Sequence, residues 1–204
     1  VTRYAFPFPV AVGMALLVGL CCGLVIGPPT IRLRRDYIAL VTFGFGEAIA
    51  ALLNEAVNIT GGAMGLSGIP RKTTLGMAMA SALVCLLIVR NFKYSRYGRQ
   101  CLALRSDELA ARSIGIDVNR AKMIAFLLST TMTSYAGVLY GFYTTYVEPA
   151  MFGWTKSAEW IIMVFFGGIN SLTGAIFASV FLISLPEFLR FAAEWRIAAY
   201  CVIV

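Results

Sequence analysis

Long uncharged apolar runs alternate with short polar segments along this chain. No Lys, Arg, Asp or Glu occurs from Tyr4 to Ile31. A bilayer core takes about 20 apolar residues of helix, so Ala5–Pro29 predicts a first spanning helix, ended by Pro28-Pro29. Gly19, Gly23 and Gly27 recur every fourth residue and share one face of it, where a second helix can approach closely. After Arg32-Leu33-Arg34-Arg35-Asp36, Tyr37–Leu53 is apolar except for Glu47 and predicts a second span. Asn54–Lys72 is polar and Gly-rich; Thr73–Val89 is a short third span. Residues 90–122 form a polar island, and Met123–Val147 predicts a fourth span. A short connection, 148–159, leads to Trp160–Pro186, a fifth apolar stretch interrupted by Gly167-Gly168-Ile169-Asn170-Ser171. That interruption leaves open one span or two half-helices that turn back. Glu187–Arg196 reads as an amphipathic tail. The expected fold is all-α: a polytopic transmembrane bundle of five to six spans or half-spans.

Composition agrees. The chain is 59% hydrophobic and 13% charged, with mean hydropathy +0.80, against about 45–50% apolar and about 25% charged in soluble domains. A net charge of +7 in such a chain reflects basic loops that set orientation rather than nucleic-acid binding. The island holds eight of the 17 Lys+Arg, so it is expected on the cytoplasmic side. Counting crossings back from it puts 54–72 outside and the three arginines of 32–36 inside, so both basic loops fall on one side. Five Cys and no His match no zinc spacing, and no metal or cofactor site is expected. There is no catalytic constellation and no nucleotide-binding motif, so no enzyme is expected. No cleavable signal pattern is visible. The sequence starts at Val1 and ends in an apolar run, and the expectation is one transmembrane domain over 1–204, a piece of a longer chain.

Within the island, Gly98 precedes a run of helix formers, Arg99–Arg105. Ser106 reads as an N-cap, with Asp107 and Glu108 in a first turn whose dipole favours acids. Leu109, Ala110, Ala111 and Arg112 continue a short helix over 107–114, and Gly115 suits its left-handed C-terminal stop. Asp117 or Asn119 can cap the next helix. Such a helix suits either a groove on a partner protein or the lipid headgroup layer.

Glu47 is the one acid well inside an apolar span. A charge there costs about 2.5–3.5 kcal/mol, so it is expected to face a pathway or another subunit, and Gly44 and Gly46 beside it allow close backbone approach. Gly61, Gly62, Gly65 and Gly68 before Pro70 demand special backbone angles. Either they form a tight outer loop, or their backbone groups meet a zwitterionic substrate. Gly167, Gly168 and Asn170 raise the same choice.

Four segments carry a resemblance: Arg32–Glu47, Asn58–Pro70, Tyr97–Gly115 (with Glu108-Leu109-Ala110-Ala111 and Gly115 at its core) and Phe166–Gly174. Together and in this order they resemble the branched-chain amino acid permease family of ABC importers; Gln100-Cys101 departs from the usual loop. The resemblance implies a bacterial inner-membrane subunit that translocates branched-chain or other hydrophobic amino acids. It implies a second permease subunit, two cytoplasmic ATPase subunits and a periplasmic solute-binding protein as partners. It also implies that Ser106–Arg112 and Gly115 form a coupling helix, within the cytoplasmic loop 90–122, against the ATPase. Alternatives are a urea or short-amide permease of the same kind, a proton-coupled secondary transporter using Glu47, and a membrane scaffold.

Overall fold

The computed structural model describes residues 7–31, 33, 35–169 and 171–189. Asn170, Arg32, Arg34 and the tail beyond residue 189 therefore lie outside the described residues. The chain divides into two compact units, Val1–Ala150 and Met151–Val204.

The first unit begins with α1 (Phe8–Ile31). At 1.5 Å per residue it is about 36 Å long, enough to cross a bilayer. The expected stop at Pro28-Pro29 is not where it ends, because both prolines lie inside the helix. Tertiary contact overrides the local signal. Gly27 faces Met123 and Phe126, and buried Thr30 donates its hydroxyl to the carbonyl of Ile26 at 2.6 Å. Next come α2 (Arg35–Glu55) and a single helical turn, α3 (Val57–Thr60). A 3-10 turn at Gly62–Met64 follows, and then the two-residue strand β1 (Leu66–Ser67).

α4 (Leu75–Tyr94) buries none of its residues. It gives way to α5 (Arg96–Ser106), α6 (Glu108–Ser113) and α7 (Val118–Thr144). Past α7, β2 (Tyr146–Val147) pairs antiparallel with β1, Leu66 opposite Val147 and Ser67 opposite Tyr146. Among the described residues α1, α4 and α7 are long and apolar enough to cross a membrane; α2, with 21 residues, has the length to span.

The main packing of this unit is α1 against α7, and it runs along the glycine face expected from the sequence. A Cβ on Gly23 would lie 2.6 Å from Thr130 Oγ1, and one on Gly27 would lie 2.7 Å from Met123 Sδ. Gly19 faces Ser134 in the same way. With little hydrophobic drive between helices in lipid, such close backbone approach supplies the attraction.

In the second unit, α8 (Trp154–Gly167) and α9 (Leu172–Leu189) pack against each other. The fifth apolar stretch is therefore broken at 168–171, the second of the two expected forms. α8 has 14 residues, about 21 Å, too short for a full crossing. A Cβ on Gly167 would lie 2.5 Å from the carbonyl oxygen of Gly174, so the two helices meet through glycine. The Phe166 and Phe181 rings stack at 6.2 Å. Gly168 has φ +86, and Ser171 Oγ accepts the N–H of Gly174 at 3.0 Å, as expected for a hydroxyl beside freed backbone donors.

Candidate functional site

The polar island folds into two short helices, α5 and α6, set by tight corners between the end of α4 and the start of α7. Ser95 Oγ accepts the Gly98 N–H at 3.2 Å and starts α5. Gly98 sits where a Cβ would collide with the carbonyls of Phe92 and Lys93, so only glycine lets α5 leave α4 at this angle. α5 then runs to Ser106. The expected cap at Ser106 is thus displaced by one residue: Ser106 closes α5, and Asp107 is the N-cap of α6. Asp107 Oδ1 accepts from Leu109 N at 2.8 Å and from Ala110 N at 3.2 Å, a pair of orphan donors at a helix start.

The other end of α6 closes with two backbone bonds. Ile116 N donates to the carbonyl of Ala111 at 3.1 Å, and Gly115 N to that of Arg112 at 3.0 Å. This is the Schellman arrangement, with Gly115 at φ +81. Asp117 caps α7 by accepting from Arg120 N at 3.1 Å.

α6 is anchored on one side and open on the other. Ala111 is 2% exposed, in a small core with Leu104, Val118 and Ala121, flanked by Cys101 and Ile116. Burial pushes the Cys101 thiol above its ordinary value, partly offset by a backbone hydrogen bond. Glu108 accepts from Lys122 Nζ at 2.7 Å and from Arg112 at 2.9 Å. The hydrogen bond from Lys122, more than that from Arg112, holds the Glu108 carboxyl below the usual range. On the open side Leu109 is 76% exposed and Ile114 73%, with Ala110 and Ser106 also exposed.

The other expected residues lie apart from α6. Glu47 is exposed on α2, and a Cβ on Gly44 or Gly46 would meet nothing within 4 Å. The close approach expected at those glycines is not made to any described residue. Gly61, Gly62 and Gly65 have φ +76, +62 and +67, as their spacing requires. A Cβ on Gly65 would lie 2.6 Å from the Val147 carbonyl oxygen, so this loop is held against the end of α7. The Tyr146 hydroxyl lies 2.7 Å from Glu148 Oε2 and 3.1 Å from the Met64 carbonyl, and its bond to Glu148 pushes the phenol up. Gly167 and Gly168 belong to the α8–α9 corner. Sequence reasoning missed Lys122, Tyr146 and the Ser95 cap. Of these only Ser95, a hydroxyl two residues before Tyr97-Gly98, carries a local signal.

The family model for "Branched-chain amino acid transport system / permease component" matches residues 1–204. The chain belongs to this permease family. The relatives support the assignment. The chain is 31% identical to the high-affinity branched-chain amino acid transport system permease protein LivM of Salmonella typhimurium, over 92% of this chain and 52% of the relative. It is 30% identical to LivM of Escherichia coli over the same shares. It is 26% identical to the permease protein LivH of Salmonella typhimurium, over 72% of this chain and 47% of the relative. The chain spans about half the length of the curated LivM relatives it matches. No solved structure matches it. It is a multi-pass, all-α membrane protein of the permease class.

Proposed function

We propose that the chain forms part of the translocation pathway of an ABC importer in a bacterial inner membrane, and that its cargo is branched-chain or other hydrophobic amino acids. The observation that carries this reading is α6. It is capped at both ends, fixed through Ala111 and the Lys122–Glu108 pair, and yet turns Leu109 and Ile114 outward. A short rigid helix with an exposed apolar edge fits a groove on a soluble partner. In this reading α6 (Glu108, Leu109, Ala110, Ala111, Arg112), with Ser106 and Asp107 before it and Gly115 after it, transmits ATP-driven motion from an ATPase subunit, one of two.

A LivH-like protein, which this chain also resembles, is the natural second permease, and a periplasmic binding protein delivers the cargo. In this reading the pathway residues of the first unit are Gly44, Gly46 and Glu47 of α2 and the glycine corner at Gly61, Gly62 and Gly65; in the second unit, taken by itself, Gly167 and Gly168 are assigned the same role, while Asn170 lies outside the described residues.

The test is uptake of labelled leucine by proteoliposomes holding the two permeases, with and without the ATPase subunits and binding protein. Uptake that requires ATP and both partners is expected. Uptake that persists without ATPase subunits and collapses with the proton gradient overturns the reading in favour of proton coupling.

A further inference from the structure

The cleft behind α6 has a chemistry that docking to an ATPase does not use. Its volume is about 850 Å³, and its lining comes from the end of α1, the start of α2, α5, α6 and the start of α7. Its loop end carries Arg105, Arg112 and Lys122 against a single carboxylate, Glu108, with Asn119 beside them. Glu108 is already shared by Arg112 and Lys122. Arg105 makes no ion pair with any residue whose side chain is described, and the described lining carries three positive charges against one negative. Its wall also carries apolar Ile38, on α2, and one apolar residue from each of the helices α1 and α7, Ile31 and Phe126. Both of those helices are long and apolar enough to cross the membrane.

From this we propose that the cleft binds an anionic phospholipid. The phosphodiester sits against Arg105, with Lys122 and Arg112 at its edge, and an acyl chain lies along Ile31, Ile38 and Phe126. A guanidinium with no carboxylate partner pairs well with a phosphate, and basic pockets between spanning helices on the cytoplasmic side suit anionic headgroups. A free inorganic phosphate has no use for the apolar wall, which is why the occupant is a lipid. The proposal rests on the cytoplasmic placement of residues 90–122. The bound lipid then braces α5, α6 and α7 from the membrane side while the outer edge of α6 stays free.

The test uses the purified protein in its assembled complex, in detergent. Native mass spectrometry is expected to retain added phosphatidylglycerol and not phosphatidylcholine, and Arg105→Gln to reduce retention at least threefold while Arg105→Lys keeps most of it. An independent arm places a fluorophore in the apolar wall with Phe126→Trp. Its added emission is expected to be quenched more by phosphatidylglycerol carrying brominated chains than by brominated phosphatidylcholine. Equal retention of both lipids, or retention unchanged in Arg105→Gln, overturns the site. Displacement of phosphatidylglycerol by millimolar inorganic phosphate, without chain-dependent quenching, reassigns the cleft to a free anion and overturns the lipid reading. Sidedness is checked separately in cells with Ser113→Cys and a membrane-impermeant maleimide. Labelling from outside refutes the cytoplasmic placement and leaves the binding data standing.

Discussion

Lys122 Nζ reaches across fourteen residues of sequence to donate to Glu108 Oε2 at 2.7 Å, and so ties the first turn of α6 to the second turn of α7. Both groups are partly solvated, with side-chain exposures of 31% and 41%. Such a pair adds only about 0.2–1 kcal/mol of stability, and its importance lies in geometry. Lys122→Met is expected to leave the melting temperature of the purified complex within a few degrees of wild type and to lower ATP-driven uptake severalfold, because α6 then moves without α7. A Glu108→Gln variant with full uptake and full ATPase coupling contradicts this.

The same pair has a defined pH dependence. Lys122 lowers the Glu108 carboxyl, so the stabilisation is fully present above the ordinary carboxylate range and is lost as pH falls through the lowered value. Hydrogen exchange over residues 108–113, corrected for intrinsic rates, is expected to stay protected down through the ordinary carboxylate range. In Lys122→Met the protection is expected to fail at higher pH. Identical profiles in the two proteins sink the idea.

Gly115 separates backbone strain from packing. A Cβ there meets nothing within 4 Å, but φ is +81. The cost of a substitution is therefore conformational, about 1–2 kcal/mol for an ordinary L-residue and more for a β-branched one. Gly115→Val is expected to unwind the end of α6 and bring uptake close to background, whereas Gly115→Asn, which tolerates the left-handed region, keeps most of it. Ala111→Glu, which forces a carboxylate into a site 2% exposed, is expected to abolish uptake while the subunit still inserts. Normal uptake in both Gly115→Val and Ala111→Glu makes α6 a surface element without a coupling role.

The glycine face of α1 predicts a graded response. At Gly23 a new Cβ meets Thr130 and Leu127; at Gly27 it meets the flexible end of Met123 first. Overpacking costs typically about 1–3 kcal/mol, and it is least where the neighbour can swing away. Gly23→Val is expected to lower the melting temperature in detergent clearly, and Gly27→Ala much less. The reverse order argues that α1 meets α7 elsewhere.

Much of this architecture is legible in the sequence because its signals are local. The four-residue glycine spacing names the packing face, Gly115 and Asp117 mark the corners around α6, and Gly167–Ser171 marks the break between α8 and α9. What was missed depends on distance or competition. Ser106 and Asp107 both suit an N-cap, and the choice falls to Asp107 because α5, started by Ser95, runs on through Ser106. Pro28-Pro29 fails as a stop because Gly27 and Thr30 hold the last turn of α1 in place. The Lys122–Glu108 bond and the docking of Gly65 on Val147 join residues far apart in sequence, and no period or motif encodes them. Gly44 and Gly46 suggest an approach that no described residue makes.

That last observation bears on Glu47. It lies exposed on α2 just after two open glycines, so no described helix covers it. An ionised group at that depth costs about 2.5–3.5 kcal/mol by insertion scales, and water or another subunit must offset this. If the Glu47 side of α2 borders the pathway, Glu47→Gln is expected to leave the second permease bound at wild-type stoichiometry and to reduce uptake at least tenfold, with the binding protein still docking normally. Glu47→Asp, which keeps the charge on a shorter arm, is expected to recover part of it. If the second permease is instead lost on purification of Glu47→Gln, the carboxylate is an assembly contact and the pathway assignment of α2 fails. Full uptake in an intact complex removes Glu47 from both roles.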